Sequence, residues 1–207
     1  DAQHRNVYIE TKKAAEEELA ARAATDGVSV RVYRLGNITW DADGTFQTNA
    51  AENGFVQRVL GLLSLKAVPE QLAGAPFEFS SAEQCASALA ALILRQEEVA
   101  ACRRVCHIYN HRTVTVRSVL KLLDPSVRCV SDEAFRELMA RGMDKPGVAV
   151  LRFYLRAFGK TGTSNGRVFL DNERTLEALK SVSDFDWRFP SDDEIKQFNA
   201  IVKRLSY

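Results

Sequence analysis

Apolar and polar positions recur at helical spacing from residue 7 to about residue 24. Tyr8, Lys12, Ala15 and Leu19 fall on one stripe, and Glu16, Glu17 and Glu18 mostly crowd other faces. The spacing predicts a helix capped by Asn6 and closed by the Asp26-Gly27 turn. It also predicts that Lys12 lies at the edge of a packed surface while Lys13 points elsewhere. VSVRVY, residues 28 to 33, alternates and is β-branched, which predicts a strand, with RLGNI as a tight loop at its carboxyl end. DADGTFQT is polar loop, and residues 51 to 65 read as a helix despite Gly54 and Gly61, with Pro69 ending the segment after it. FEFSS, residues 77 to 81, reads as a short strand. The Ala-rich helix after it is capped by Ser81, with Gln84 as the capping-box partner. VCHIYN is a strand, TVRSVLKLLD a helix and VRCV a further short strand. From Ser131 onward four segments are helical, the last favoured by the acids Asp192 to Glu194 at its start. Strands alternate with helices early and helices cluster late, so the fold class is α/β with a helical subdomain appended. No internal repeat or low-complexity tract interrupts the pattern.

Composition narrows the picture. The chain has 207 residues, of which 46% are hydrophobic, as in a globular chain with a real core. Its 28 basic and 27 acidic residues leave a net charge of +1, which argues against a nucleic-acid binder that relies on a basic surface. No run of about 18 apolar residues predicts a membrane span. Four cysteines form no dense disulfide framework and fit a reduced, cytoplasmic setting. The chain opens at Asp1, without Met, directly before a helical segment, which is expected of a piece of something longer.

The candidate chemistry lies in Tyr8 and Lys12. A tyrosine hydroxyl has a pKa of about 10 in water, too high to move a proton easily at neutral pH. An ammonium four residues on, one helical turn away, favours the phenolate and lowers that value. The alternative for Lys12 is a surface lysine that snorkels its ammonium into water.

A Tyr-x-x-x-Lys helix, an Asp-Gly turn, a strand and then Arg34-Leu35-Gly36-Asn37-Ile38 resemble the extended short-chain dehydrogenase/reductases. Their equivalent loop reads Arg-Pro-Gly-Asn and lies beside the nicotinamide; Leu35 replaces the proline here. FEFSSAEQCASALAALI is similar to the family's short strand and Ala-rich helix, with Glu83 in place of its aspartate. CHIYNHRTVTVRSVLKLL is similar to its His-hydrophobic-x-Asn strand and following helix, and residues 169 to 205 to the closing segment of one subgroup. That subgroup is the terminal thioester reductase domain of nonribosomal peptide synthetases.

The resemblance implies the carboxyl-terminal half of a Rossmann-like reductase. Residues 1–130 would be core with interleaved substrate-lobe segments, and residues 131–207 a mainly helical substrate-binding subdomain. It implies NAD(P)H-dependent reductive release of a peptidyl or acyl thioester to an aldehyde, or onward to an alcohol. The thioester would arrive on a phosphopantetheinylated carrier protein, with neither nucleic acid nor membrane as partner. Tyr8 would be the proton donor and Lys12 would hold the cofactor ribose. Leu35, Gly36, Asn37 and Ile38 would line the nicotinamide, with Gly36 letting backbone approach the ligand. Phe46 and Phe55 are candidate substrate-channel residues, though core packing is the favoured reading for both. The family's Gly-rich loop for NADPH precedes the tyrosine by about half a domain and is absent from this chain. The fragment alone is therefore expected to be inactive, and its sheet to expose an edge.

Other readings are weaker. GKTGTSNG, residues 159 to 166, lacks the first Walker glycine, since Tyr154 stands there. Cys102, Cys106, His107 and His111 have a metal-like spacing, but on a strand Cys106 and His107 point to opposite faces, so no metal is expected. A hydrolase would need a GxSxG elbow, and none exists. A reductase or epimerase acting on a nucleotide sugar or small carbonyl, and a non-catalytic lobe that only docks a carrier protein, remain as alternatives.

Overall fold

The structure, a computed structural model, describes residues 7–41, 43–95, 104–158 and 172–205. It divides into two compact units, each assembled from three stretches of chain: Asp1–Leu35, Ser87–Ile108 and Leu170–Phe185 form the first, and Gly36–Ala86, Tyr109–Phe169 and Asp186–Tyr207 the second.

In the first unit helix α1 (Val7–Asp26) leads through Gly27, at a positive φ, to strand β1 (Val32–Leu35). β1 pairs in parallel with β4 (Val105–Ile108), Val32 opposite Val105 and Leu35 opposite Ile108. The predicted strand at residues 28 to 33 is thus displaced towards the carboxyl end. Its ladder begins only where β4 supplies partners, so residues 28–31 are not in a strand. Among the described residues β1 has a strand partner on one side alone. Helix α8 (Glu173–Val182) packs on β4, and the Thr175 hydroxyl accepts the His107 backbone N–H at 3.0 Å.

The second unit holds the larger core. Helix α2 (Gly54–Leu65) starts at Asn53, whose side chain accepts the backbone N–H groups of Phe55 and Val56. Strand β2 (Ala67–Pro69) follows and pairs in parallel with β6 (Arg128–Val130), confirming the VRCV strand. β2 itself is too short to carry an alternating pattern and was not expected. After the short helix α3 (Glu70–Ala73), β3 (Pro76–Phe77) pairs antiparallel with β5 (Val114–Thr115). The predicted strand at 77–81 therefore survives as this two-residue ladder and a parallel bridge from Ile38 to Ser80. Helix α4 (Ala82–Leu94) begins in this unit. The Ser81 hydroxyl accepts the Gln84 N–H at 3.3 Å, as the capping pattern predicts. Helices α5 (Val116–Leu123), α6 (Asp132–Arg141), α7 (Val148–Phe158) and α9 (Asp192–Arg204) occupy the segments read as helical.

Trp40, Phe46, Phe55, Phe79 and Phe198 build the aromatic centre of this core. Phe55 lies 5.1 Å from Phe77, 5.8 Å from Phe79 and 5.7 Å from Phe198, ring centre to ring centre. Phe46 lies 5.8 Å from Phe198. The two phenylalanines considered for a substrate channel are thus core residues.

One charged network ties the start of α9 to this core. Glu194 accepts from the Trp40 indole at 3.0 Å, from Arg188 at 2.6 and 2.7 Å, and from the Ser191 N–H at 2.8 Å. The Arg188 guanidinium and then the Ser191 donors hold the Glu194 carboxyl down to about 2, against the opposing effect of burial. A carboxyl depressed in the folded state stabilises fully above its unfolded pKa and ceases to do so as pH falls through the folded value. Stability of this unit should therefore drop between about pH 4.5 and 2, and Glu194→Gln should flatten that part of a stability-against-pH curve. An unchanged acid limb in the variant would show that other carboxylates control the acid transition.

Candidate functional site

The predicted site residues are divided between the units, since the chain passes from the first unit to the second between Leu35 and Gly36. The two halves of the candidate site are therefore best described within their own units.

In the first unit Tyr8 and Lys12 stand one turn apart along α1. Lys12 is exposed, and so are Ala15 and Leu19, the latter 52% exposed. The expected packed stripe is rotated. Among the positions of α1 with described side chains, the half-buried ones are Glu16, Ala20 and Ala23, which continue from Lys12 at i, i+4 and i, i+3 spacing. Glu16 does not belong to a solvated face: its carboxylate takes both ends of the Arg34 guanidinium, at 2.9 Å and 2.5 Å. The Arg34 hydrogen bond first, then its charge, lowers the Glu16 pKa, and the same pair raises that of Arg34. A two-pronged ion pair is a more specific tether than a point contact, and here it fixes α1 against the carboxyl end of β1. A groove of 460 Å³ runs along this junction, lined by Ala20, Ala23, Val28, Val30 and Val105 among others. Leu35 closes β1 and is 44% exposed.

In the second unit Gly36, Asn37 and Ile38 form the loop, held by a carboxylate that sequence reasoning did not single out. Glu78 Oε2 accepts the Asn37 backbone N–H at 2.9 Å and the Asn37 side-chain amide at 2.7 Å. Its other oxygen accepts the Ser80 hydroxyl. The Ser80 N–H donates to the Asn37 carbonyl at 3.1 Å, so the loop is laced to residues 78–80 by backbone and side chain together. A Cβ at Gly36 would meet the Glu78 carboxylate, and the Tyr109 Cβ at 2.7 Å. The glycine thus makes room for the protein's own carboxylate and tyrosine, a different reason from the ligand approach the sequence suggested. Ile38, 37% exposed, offers an apolar side chain beyond the loop.

Asn110 completes the support. It is 2% exposed. Its N–H donates to the Ser80 hydroxyl at 2.9 Å, its amide donates to the carbonyls of Phe79 and Arg188 at 3.0 and 2.8 Å, and its side-chain oxygen accepts the Arg112 N–H at 2.9 Å. A buried amide this fully used fixes three backbone segments at once. Its signal was the Asn at the end of the His-Ile-Tyr-Asn strand. The signal for Glu78 was a lone acid between two phenylalanines. Close by, the Cys85 thiol is buried and pushed up to about 11 by burial and then by the Glu78 charge, which makes it a poor nucleophile.

The remaining candidates carry less. No metal-binding group of side chains exists among the described residues. Cys102 and the GKTGTSNG loop lie outside them. Cys85 and Cys129 are free thiols. Phe153 is 62% exposed, while Tyr154 carries the Arg58 guanidinium 4.1 Å over its ring. Among the described residues no helix is long and apolar enough to cross a membrane.

Comparison with solved structures agrees with this architecture. A thiolation-reductase di-domain from an archaeal non-ribosomal peptide synthetase superposes with a TM-score of 0.71 at 23% identity, over 92% of this chain and 39% of that one. This chain has the fold of one part of that reductase protein. The aureusimine biosynthetic cluster reductase domain matches with a TM-score of 0.67 at 22% identity, over 91% of this chain and 48% of its own. The terminal R domain of the myxalamid PKS-NRPS pathway gives 0.67 at 17% identity, over 91% and 47%. RMD from Pseudomonas aeruginosa, complexed with NADPH, is more distant at 0.52 and 15%. The chain thus spans less than half the length of each of these three solved chains. No family model matches the sequence, and no curated protein does.

Proposed function

We propose that this chain is the carboxyl-terminal part of an NADPH-dependent thioester reductase that releases a peptidyl or acyl chain from a carrier protein as an aldehyde. The observation that carries the reading is the fold match, which extends over nine-tenths of the chain in three reductase domains of peptide or polyketide assembly lines. The order of parts supports it: a Tyr-x-x-x-Lys helix, a parallel strand, then a clamped Gly-Asn loop.

On this reading the residues present would hold one end of a nicotinamide nucleotide. Leu35 and Ile38 expose apolar side chains on either side of the Gly-Asn loop in sequence, suited to the flat face of a ring. Lys12 is exposed on α1, and on this reading its ammonium would donate a hydrogen bond to a ribose hydroxyl. When bound, NADPH supplies the hydride. Tyr8 would give its phenolic proton to the oxygen of the reduced carbonyl, and the Lys12 charge would make that transfer easier by lowering the Tyr8 pKa. The C–S bond would then break as the carbonyl re-forms, the carrier's pantetheine thiol leaving with that proton and the aldehyde being released. Leu35, Gly36, Asn37 and Ile38 would position the ring, a contribution made by orientation. The thioester would be delivered on a phosphopantetheine arm, so a carrier protein is the proposed partner.

The test is NADPH oxidation by the complete reductase polypeptide that contains these residues, offered an acyl thioester on a phosphopantetheinylated carrier protein. Oxidation with release of aldehyde is the expected result. A folded, NADPH-binding protein that ignores the thioester but reduces a free carbonyl would replace this reading with that of a small-carbonyl reductase.

A further inference from the structure

Glu78 accepts three hydrogen bonds beside the Gly36-Asn37 loop, and the proposed function gives it no part. We propose that Glu78 is a positioning residue, a clamp that holds Gly36 and Asn37 in the conformation that presents this loop to the cofactor. The inference rests on the functional reading above. It goes beyond that reading, because the residue that sets the loop lies on another stretch of chain, some forty positions on.

Three features argue for it. First, one carboxylate satisfies three donors: the Asn37 N–H, the Asn37 amide and the Ser80 hydroxyl. A carboxylate is an acceptor only, with capacity for about four such bonds, so it suits a site where every neighbour donates. Second, the glycine and the acid are matched. The space a Cβ would fill at Gly36 is taken by the Glu78 carboxylate, so either residue constrains the other. Third, Glu78 interrupts an apolar run between Phe77 and Phe79, both packed in the core. A half-buried charge there costs desolvation and persists only because its hydrogen bonds offset that cost. With both Asn37 donors turned inward onto Glu78, the loop offers little freedom to its apolar neighbour Ile38, a rigid platform rather than a polar contact.

The experiment compares Glu78→Ala and Glu78→Gln in the complete reductase with residue-resolved amide exchange and NADPH kinetics. Gln keeps an oxygen acceptor for Asn37, and its amide can donate to the Ser80 oxygen. Glu78→Ala should speed exchange at Asn37 by about 10-fold or more while core amides stay protected. It should also lower kcat by about 10- to 100-fold with little change in the thioester KM, since misplacing a reacting group by about an ångström costs that much. Glu78→Gln should restore most of both. Unchanged exchange at Asn37 in the alanine variant would overturn the clamp. Uniformly faster exchange across the unit, not rescued by glutamine, would overturn it in favour of plain fold stability. Loosened Asn37 with undiminished kcat would overturn the positioning role. A wild-type protein that leaves NADPH unoxidised would overturn the functional reading instead, and the exchange data would still decide the clamp.

Discussion

Gly147→Ala should destabilise the second unit by about 2–5 kcal/mol, from a left-handed backbone penalty and an overpacked contact together. Gly147 sits just before α7 at a φ of +75°, a region that side chains disfavour. Its missing Cβ also faces another backbone: the atom would lie 2.5 Å from the Gly61 nitrogen and 3.1 Å from the Gly61 Cα, and would press on the Gln57 carbonyl. Gly61 meets it in turn, since a Cβ there would come within 2.7 Å of the Gly147 carbonyl. Two glycines therefore let the start of α7 lie directly on α2. Backbone cannot step aside as a flexible side chain can. The check is urea unfolding of wild type and variant. A loss below about 1 kcal/mol would mean that the helices slide apart without cost, against the close packing expected of interiors.

The second large effect concerns chemistry. On the proposed reading, Tyr8→Phe in the complete reductase should reduce turnover by about 100- to 10,000-fold, the range for losing a positioned general acid. The ring is kept and one hydroxyl removed, so cofactor binding and thermal stability should remain near wild type. Single-turnover measurement of NADPH oxidation separates the two. A slowed chemical step with intact cofactor affinity supports the assignment. Turnover within a few-fold of wild type would remove Tyr8 from the mechanism and leave the proton donor to be found elsewhere.

Much of the fold was legible in local pattern. The four late helices, the Ser81 and Gln84 cap, the VRCV strand and the α/β class follow from periodicity and capping residues, which act over a few positions. The misplaced elements depend on partners far away in sequence. β1 begins at Val32 because Val105 stands opposite it, and β2 exists because residues 128–130 pair with it. The site was read in part. The Tyr8, Lys12 and Gly36-Asn37 pattern is short and could be matched to a family. Asn110 falls in the matched His-hydrophobic-x-Asn strand, but what it and Glu78 hold could not be read, because their partners lie about thirty to eighty positions away. The stripe on α1 was misjudged for a related reason: an acid counts as solvated by composition, yet Glu16 faces Arg34, eighteen positions on. The purpose of Gly36 was likewise invisible, since the atoms that exclude a side chain there come from Glu78 and Tyr109.

The interleaving of the two units has a kinetic consequence. The first unit needs Asp1–Leu35, Ser87–Ile108 and Leu170–Phe185, with the segments of the second unit between them. β1 must close a long loop to find β4, and closing such loops before contacts reward them slows folding. On the ribosome α1 and β1 emerge before the other two segments of their unit, which stays incomplete until Phe185 has been made. Until then Leu92 and Ile108, buried in the folded chain, belong to an unfinished unit, and a stalled or truncated chain would be a substrate for chaperones rather than a smaller folded protein.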